Sequence, residues 1–164
     1  MRPTTLRRPT QAAIQLKQIL VPIDFSDASQ QALRYARRFA QFFGAEITLL
    51  NVVQKTPVAP FPEVPPYLDY VEEYFENAEK SLQALATAEQ KATEPVELRT
   101  VIRTGLAAHE IVEAAKELDS DLIVIATHGY TGWKHFCIGS TAERVVRTAP
   151  CPVFVVREKE HELV

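Results

Sequence analysis

Apolar residues recur along this chain in two alternating rhythms. Residues 18–23, Gln-Ile-Leu-Val-Pro-Ile, form a short β-branched run that ends in Asp24-Phe-Ser-Asp-Ala-Ser29. This predicts a buried strand followed by helix-start chemistry. Ala32, Leu33, Ala36, Phe39, Ala40 and Phe43 then follow helical spacing, and Gly44 supplies a C-terminal stop. Residues 47–53 are nearly all apolar and predict a second strand. From Tyr67 to about Ala92 the spacing is helical again, with Leu68, Val71, Phe75, Ala78, Leu82 and Leu85 on one face. Val96, Leu98 and Val101 mark a half-exposed strand over 96–103, which Gly105 ends. Ala108, Ile111, Val112, Ala115 and Leu118 mark a third helix. Residues 121–126 are the most apolar strand. Ser140 opens a fourth helix with Ala142, Val145, Val146 and Ala149 inward; Pro150 ends it, and residues 152–156 form the last strand.

The order is therefore βαβαβαβαβ. Strands separated by helices require right-handed crossovers, which cover both faces of the sheet. The expected fold is α/β: a single-domain three-layer sandwich around a five-stranded, mainly parallel sheet. Ligands of such sheets bind beyond the carboxyl ends of the strands, where the strand order reverses. Outside the pattern lie a basic, polar arm over 1–16, a proline-rich insertion over 57–66 and a tail over 158–164. Pro57, Pro60, Pro62, Pro65 and Pro66 remove too many N–H donors for any regular element. That loop reads as a lid or interaction surface, or as a stiff connection.

Composition narrows the function classes. The 164 residues are 46% hydrophobic and 24% charged, as in an ordinary globular domain. A net charge of −3 offers no general attraction to nucleic acid or to an anionic membrane. No apolar run approaches the roughly 20 residues of a membrane span. Arg2, Arg7 and Arg8 precede no apolar segment, so the N-terminus does not read as a secretory signal, and it is short for a transit peptide. Two cysteines, Cys137 and Cys151, make neither a disulfide framework nor a metal spacing, and Cys151 reads as a small buried hydrophobe. A reducing, cytoplasmic setting is expected.

The candidate chemistry concentrates between the fourth strand and the fourth helix. Three of only five glycines, Gly129, Gly132 and Gly139, fall there. Glycine lets backbone approach a ligand, and a helix N-terminus presents N–H groups that suit phosphate. Ser140-x-x-Glu143 has the pattern of a capping box, which would place that N-terminus at Ser140. An ordinary tight loop and cap would use the same residues. Asp24 either offers a buried carboxylate to an adenine amino group or ribose hydroxyl, or caps the first helix. His128 either donates to phosphate or pairs with a carbonyl. Lys134, His135 and Arg144 are possible phosphate cations or solvated surface, and Trp133 reads as packing or a partner contact. Neither GxxxxGK[ST] nor GxGxxG after the first strand is present, so the site is neither a P-loop nor a dinucleotide fingerprint. Ser/His/Asp sets and paired carboxylates do not converge on the loop, and His128 and His135 lack metal-ligand spacing. No catalytic residue and no metal site is expected.

Several stretches also carry a family resemblance. Ile19-Leu-Val-Pro-Ile-Asp24-Phe-Ser, Ile47-Thr-Leu-Leu-Asn-Val52, Ala126-Thr-His-Gly129, Gly139-Ser-Thr-Ala-Glu-Arg-Val-Val and Ala149-Pro-Cys-Pro-Val-Phe-Val-Val156 are similar to the universal stress protein (UspA) family, over residues 17–157. The resemblance implies a Rossmann-like fold of the adenine nucleotide α-hydrolase-like type. It also implies a nucleotide-binding regulatory role in stress response, with ATP as the ligand and Mg²⁺ accompanying it. ATP-binding members carry G-x2-G-x9-G-[ST]; here Gly129, Gly139 and Ser140 match, while Ala126 holds the first glycine position and adds a methyl near the expected phosphate path. The resemblance puts Pro22, Asp24 and Val52 around adenine and ribose. It puts Ile125, Ala126, His128 and Gly129 against ribose or phosphate, and Gly139, Ser140 and Thr141 around the phosphates. It places the first and fourth strands at the switch point. It also implies a homodimer formed through the last strand, Val153–Val156, whose uncovered apolar edge would otherwise be a liability. Two other readings stay open: a member that binds no nucleotide and works through dimer and partner contacts, and a slow ATPase.

Overall fold

The computed structural model describes residues 14–54, 67–91, 95–127 and 139–157. The arm before residue 14, the proline-rich insertion and the tail after 157 lie outside the described residues. Five strands and four helices alternate: β1 (Gln18–Pro22), α1 (Asp27–Phe43), β2 (Glu46–Val53), α2 (Tyr67–Gln90), β3 (Leu98–Thr104), α3 (Ala107–Glu117), β4 (Leu122–Ala126), α4 (Ser140–Thr148) and β5 (Val153–Val156). The sheet order is β3-β2-β1-β4-β5, and every neighbouring pair is parallel.

Side chains on successive strand residues point to opposite faces, and both faces here are apolar. Ile19, Val21, Ile47, Leu49, Leu122 and Val124 pack on one side with Ala32, Leu33, Ala36 and Ala40 of α1 and Leu82 and Ala86 of α2. Leu20, Leu50, Ile123 and Ile125 pack on the other with Ile111, Val112 and Ala115 of α3 and Ala142 and Val145 of α4. This two-sided burial explains why the strands read as unbroken apolar runs. Leu16 packs against the α1 side of the core, so contact with the domain begins before β1.

Local chemistry sets the boundaries. Ser26 caps α1, its Oγ accepting from the Ser29 N–H at 3.1 Å. Gly44 closes the helix in the left-handed region at φ 69°, which glycine adopts without a steric penalty. The Asp121 carboxylate accepts from the N–H groups of Lys17 at 2.7 Å and Gln18 at 3.0 Å, pinning the start of β1 to that of β4. An ion pair between Arg37 and Glu89 joins α1 to α2.

Helix α2 departs from the single apolar face its spacing predicts. Leu82 and Ala86 are buried, yet Phe75 is exposed. The cause is length: 24 residues of helix span about 36 Å, whereas an eight-residue strand such as β2 spans about 26 Å. The N-terminal part of the helix therefore overhangs the sheet.

Candidate functional site

The sheet opens at its middle. Strands β1 and β4 pair over Ile19↔Leu122 and Leu20↔Ile123, whereas β1 stays with β2 as far as Pro22↔Leu50 and β4 with β5 as far as Ala126↔Val156. Proline accounts for the parting. Backbone groups of alternate residues point to alternate neighbours: the Lys17 carbonyl accepts from Glu46 of β2, and the Ile23 N–H donates to Leu50 of β2 at 2.8 Å. The position between, Pro22, faces β4 and has no N–H to give it. The strands separate there, beside the point where strand order reverses, which is the crevice in which open α/β sheets bind ligands.

One wall of this crevice is the turn after β1. Asp24, in the turn after β1, is exposed, not buried as expected from the sequence. It does not cap α1 either. Its Oδ1 accepts from the Ser26 N–H at 3.1 Å and the Ser26 hydroxyl at 2.5 Å, and Ser26 is the cap. Between them Phe25 sits at φ 64°, a backbone region bulky residues rarely occupy. Val52, near the end of β2, is half-buried and packs toward α3 and α4.

The other wall is the end of β4. Ile125 is buried, and Ala126 is half-buried with ordinary strand pairing to Val156. The Ala126 methyl packs against the core on the α1 side of the sheet, whereas α4 lies on the opposite side. Thr127 is buried; its N–H donates to the Val156 carbonyl at 2.8 Å and its own carbonyl accepts from the Gly139 N–H at 2.8 Å. That last bond brings the two ends of the intervening loop together. His128, Gly129, Gly132, Trp133, Lys134, His135 and Cys137 lie outside the described residues.

Helix α4 begins differently from the expected capping box. Gly139, not Ser140, is the N-cap, and no side chain caps the helix. The Glu143 N–H, which a capping box would direct to Ser140 Oγ, donates instead to the Gly139 carbonyl at 2.9 Å. Ser140 and Thr141 are the first two helical residues, exposed and half-buried respectively. Helix geometry leaves N–H groups of this first turn without intrahelical acceptors, at the positive end of the helix dipole. Arg144 is exposed one turn further on. Pro22, Asp24, Val52, Ile125 and Ala126 thus sit at the carboxyl ends of strands or on the turn after β1, and Gly139, Ser140 and Thr141 at the start of α4.

Sequence reasoning missed three contributors: Ser26 as the cap, the left-handed Phe25, and Asn51, whose side chain holds the Ile23 carbonyl at 2.7 Å. Ser26-x-x-Ser29 was a legible capping signal; the other two leave no mark in residue type. Cys151 is half-buried against the α3 and α4 side of the core, and burial, followed by the Asp121 charge, pushes its thiol up from the ordinary value. That disfavours the thiolate a reactive cysteine needs. Among the described residues, no three metal-ligating side chains gather into a cluster, and no helix is long and apolar enough to cross a membrane.

Comparison with known proteins agrees with this fold. The model of the universal stress protein family matches residues 15–157. The chain is 36% identical over 147 residues to universal stress protein MJ0531 of Methanocaldococcus jannaschii, covering 89% of this chain and 85% of that one. It is 35% identical over 146 residues to universal stress protein YxiE of Bacillus subtilis, covering 85% and 97%. Among solved structures, universal stress protein UspA from Lactobacillus plantarum superposes with a TM-score of 0.74 at 34% identity, covering 88% of this chain and all of that one. With its all-parallel five-stranded sheet and these relatives, the chain belongs to the universal stress protein family.

Proposed function

We propose that this protein binds an adenine nucleotide, ATP foremost, in the crevice between β1 and β4, and acts as a regulatory protein of stress response without being an enzyme. The observation that carries the reading is the parting of these two strands at Pro22, together with an N-terminus of α4 that no side chain caps and that the Gly139–Thr127 bond ties to the end of β4. Adenine and ribose would lie against Pro22, Asp24 and Val52. Ile125, Ala126, His128 and Gly129 would meet ribose or phosphate, and Gly139, Ser140 and Thr141 would receive the phosphates, whose charge suits a helix start. Mg²⁺ would come with ATP, since it is ordinarily held by one or two carboxylates together with phosphate oxygens. Two solved universal stress proteins of this fold were determined with cAMP and, from Archaeoglobus fulgidus, with dAMP. At 20% and 21% identity they speak for the fold and leave this chain's ligand to experiment.

A direct test is the melting temperature of the purified protein in millimolar ATP, alongside mass spectrometry of any nucleotide released on denaturation. A ligand at 100 times its Kd stabilises by about 2.7 kcal/mol, which a melting curve resolves easily. No shift and no released nucleotide would remove the proposal. Asp24→Ala is expected to weaken binding about tenfold to a hundredfold, the worth of a hydrogen bond to a charged group; isothermal titration measures it.

Ala126→Gly is a sharper check on the departure from the family motif. The Ala126 methyl packs on the side of the sheet away from α4. Restoring glycine is therefore expected to change ATP affinity by less than about twofold, while costing about 0.5–1 kcal/mol of stability from added backbone freedom. A large gain in affinity on Ala126→Gly would mean that the methyl does obstruct the phosphate path.

A second reading, in which the protein works through dimerisation and partner contacts, draws on β5. This strand forms one edge of the sheet, and Val153, Phe154 and Val155 are only half-buried on it. An apolar edge strand is a template for pairing with another chain. We place a homodimer there, through Val153–Val156, in a cytoplasmic protein.

A further inference from the structure

Asn51 is a buried polar residue, 8% exposed, near the end of β2. Its Nδ2 donates to the Ile23 carbonyl at 2.7 Å. Ile23 is also where the backbone ladder from β1 to β2 ends, its N–H donating to Leu50 at 2.8 Å. In a regular parallel pair the next carbonyl bond would again go to backbone. Here a side-chain amide takes it, and the chain is released into the turn.

The turn from Asp24 to Ser26 carries backbone strain at Phe25. Asp24 is exposed, Phe25 stands at φ 64°, and Ser26 caps α1. A bulky residue at positive φ persists only where its surroundings over-determine it. The turn is held from within by Asp24 Oδ1, which accepts from both the N–H and the hydroxyl of Ser26. It is held from the sheet by Asn51. The Asn51 amide fixes the carbonyl of the peptide that leads into Asp24, so it sets the direction in which that residue leaves β1.

We propose that Asn51 is a positioning residue of the nucleotide site: it aims the Asp24 carboxylate by clamping the Ile23–Asp24 peptide, and does not itself touch the ligand. The role given to Asp24 rests on the proposed nucleotide binding; the clamp does not. A buried asparagine that merely satisfied the sheet would stabilise the whole domain and leave the turn no looser than the rest.

Two measurements on full-length Asn51→Ala separate these possibilities. The first is amide hydrogen exchange by NMR on the ligand-free protein. Exchange at Ser26 and Ser29 is expected to accelerate at least about tenfold, beyond any change at core amides such as Val21 and Leu49, because local opening is decoupled from global unfolding. Unchanged relative protection at the turn would overturn the proposal, whether or not nucleotide binds. The second is a double-mutant cycle with Asp24→Ala, read as ATP affinity. Asn51→Ala is expected to weaken binding about tenfold alone but less than about twofold once Asp24 is gone, since residues acting through one contact are not additive. Equal losses in both backgrounds would also overturn it. Absence of ATP binding by the unaltered protein would instead remove the nucleotide reading, with the exchange experiment still deciding the clamp. If Asn51→Ala does not fold, Asn51→Ser takes its place; its hydroxyl is too short to span to the Ile23 carbonyl.

Discussion

Leu20→Ala is expected to lower stability by about 2–5 kcal/mol, the range for a leucine removed from a core that cannot collapse around the gap. Leu20 has no exposed surface and lies in β1, the middle strand of the sheet, beneath α3 and α4. Its neighbours Ile123 and Leu50 belong to strands paired on either side, so neither can move inward without breaking ladder bonds. For a chain of this size each kcal/mol moves the melting temperature by about 2–4 °C. A fall of roughly 4–20 °C should result, a large share of the stability of a domain held by about 5–15 kcal/mol. Leu106→Ala is the matched control: Leu106 is 73% exposed, and its loss should change stability by no more than about 0.5 kcal/mol. Urea titration of both variants measures the difference. Equal effects would mean that the two-sided core does not exist.

Gly139→Ala is expected to affect stability and binding together. A Cβ on Gly139 would stand 2.8 Å from the Thr127 carbonyl oxygen, nearer than real Cβ atoms come. The obstacle is backbone, and the same carbonyl accepts the Gly139 N–H, so it cannot swing aside without losing that bond. Overpacking of this kind costs about 1–3 kcal/mol. Because Gly139 is also the N-cap of α4, any shift that relieves the contact moves the N–H groups of Ser140 and Thr141 with it. ATP affinity should fall at least about tenfold, since sites of this kind rely on backbone donors held in place. Melting curves with and without ATP report both effects. Lower stability with unchanged affinity would show that Gly139 serves only to close the loop. An unchanged melting temperature would show that the closure is looser than the Thr127 contact implies.

Most of the fold was legible in the chain. The alternation of β-branched runs with 3.6-residue spacing foretold every strand and helix among the described residues, with boundary differences of a residue or two. Gly44 and Pro150 marked ends that they do mark in the structure. The errors are geometric, and they include Val146, expected inward on α4 but 48% exposed. Placing the cap of α4 at Ser140 rather than Gly139 and burying Asp24 both required backbone angles, which residue type only weakly restricts. Assigning Phe75 to the buried face of α2 required the length of the sheet beneath it, which no local pattern contains.

The sequence by itself determined the order of elements and the apolar character of both strand faces. Those two facts already imply a parallel sheet covered by helices on each side, with ligand chemistry at the carboxyl ends of the strands. The family resemblance placed the first and fourth strands at the switch point; only the tertiary structure decided how their backbones meet. Pro22 is an ordinary strand-terminal proline until β4, about a hundred residues away in the chain, lies beside it; the Lys17–Asp121 bond spans 104 positions. Then its missing N–H becomes the reason that β1 and β4 part and a crevice opens. Likewise Asn51 reads as one polar residue in an apolar run until the Ile23 carbonyl is placed within 2.7 Å of its amide. Local propensity cannot hold such information, because both effects depend on hydrogen-bonding directions that exist only after distant strands have paired.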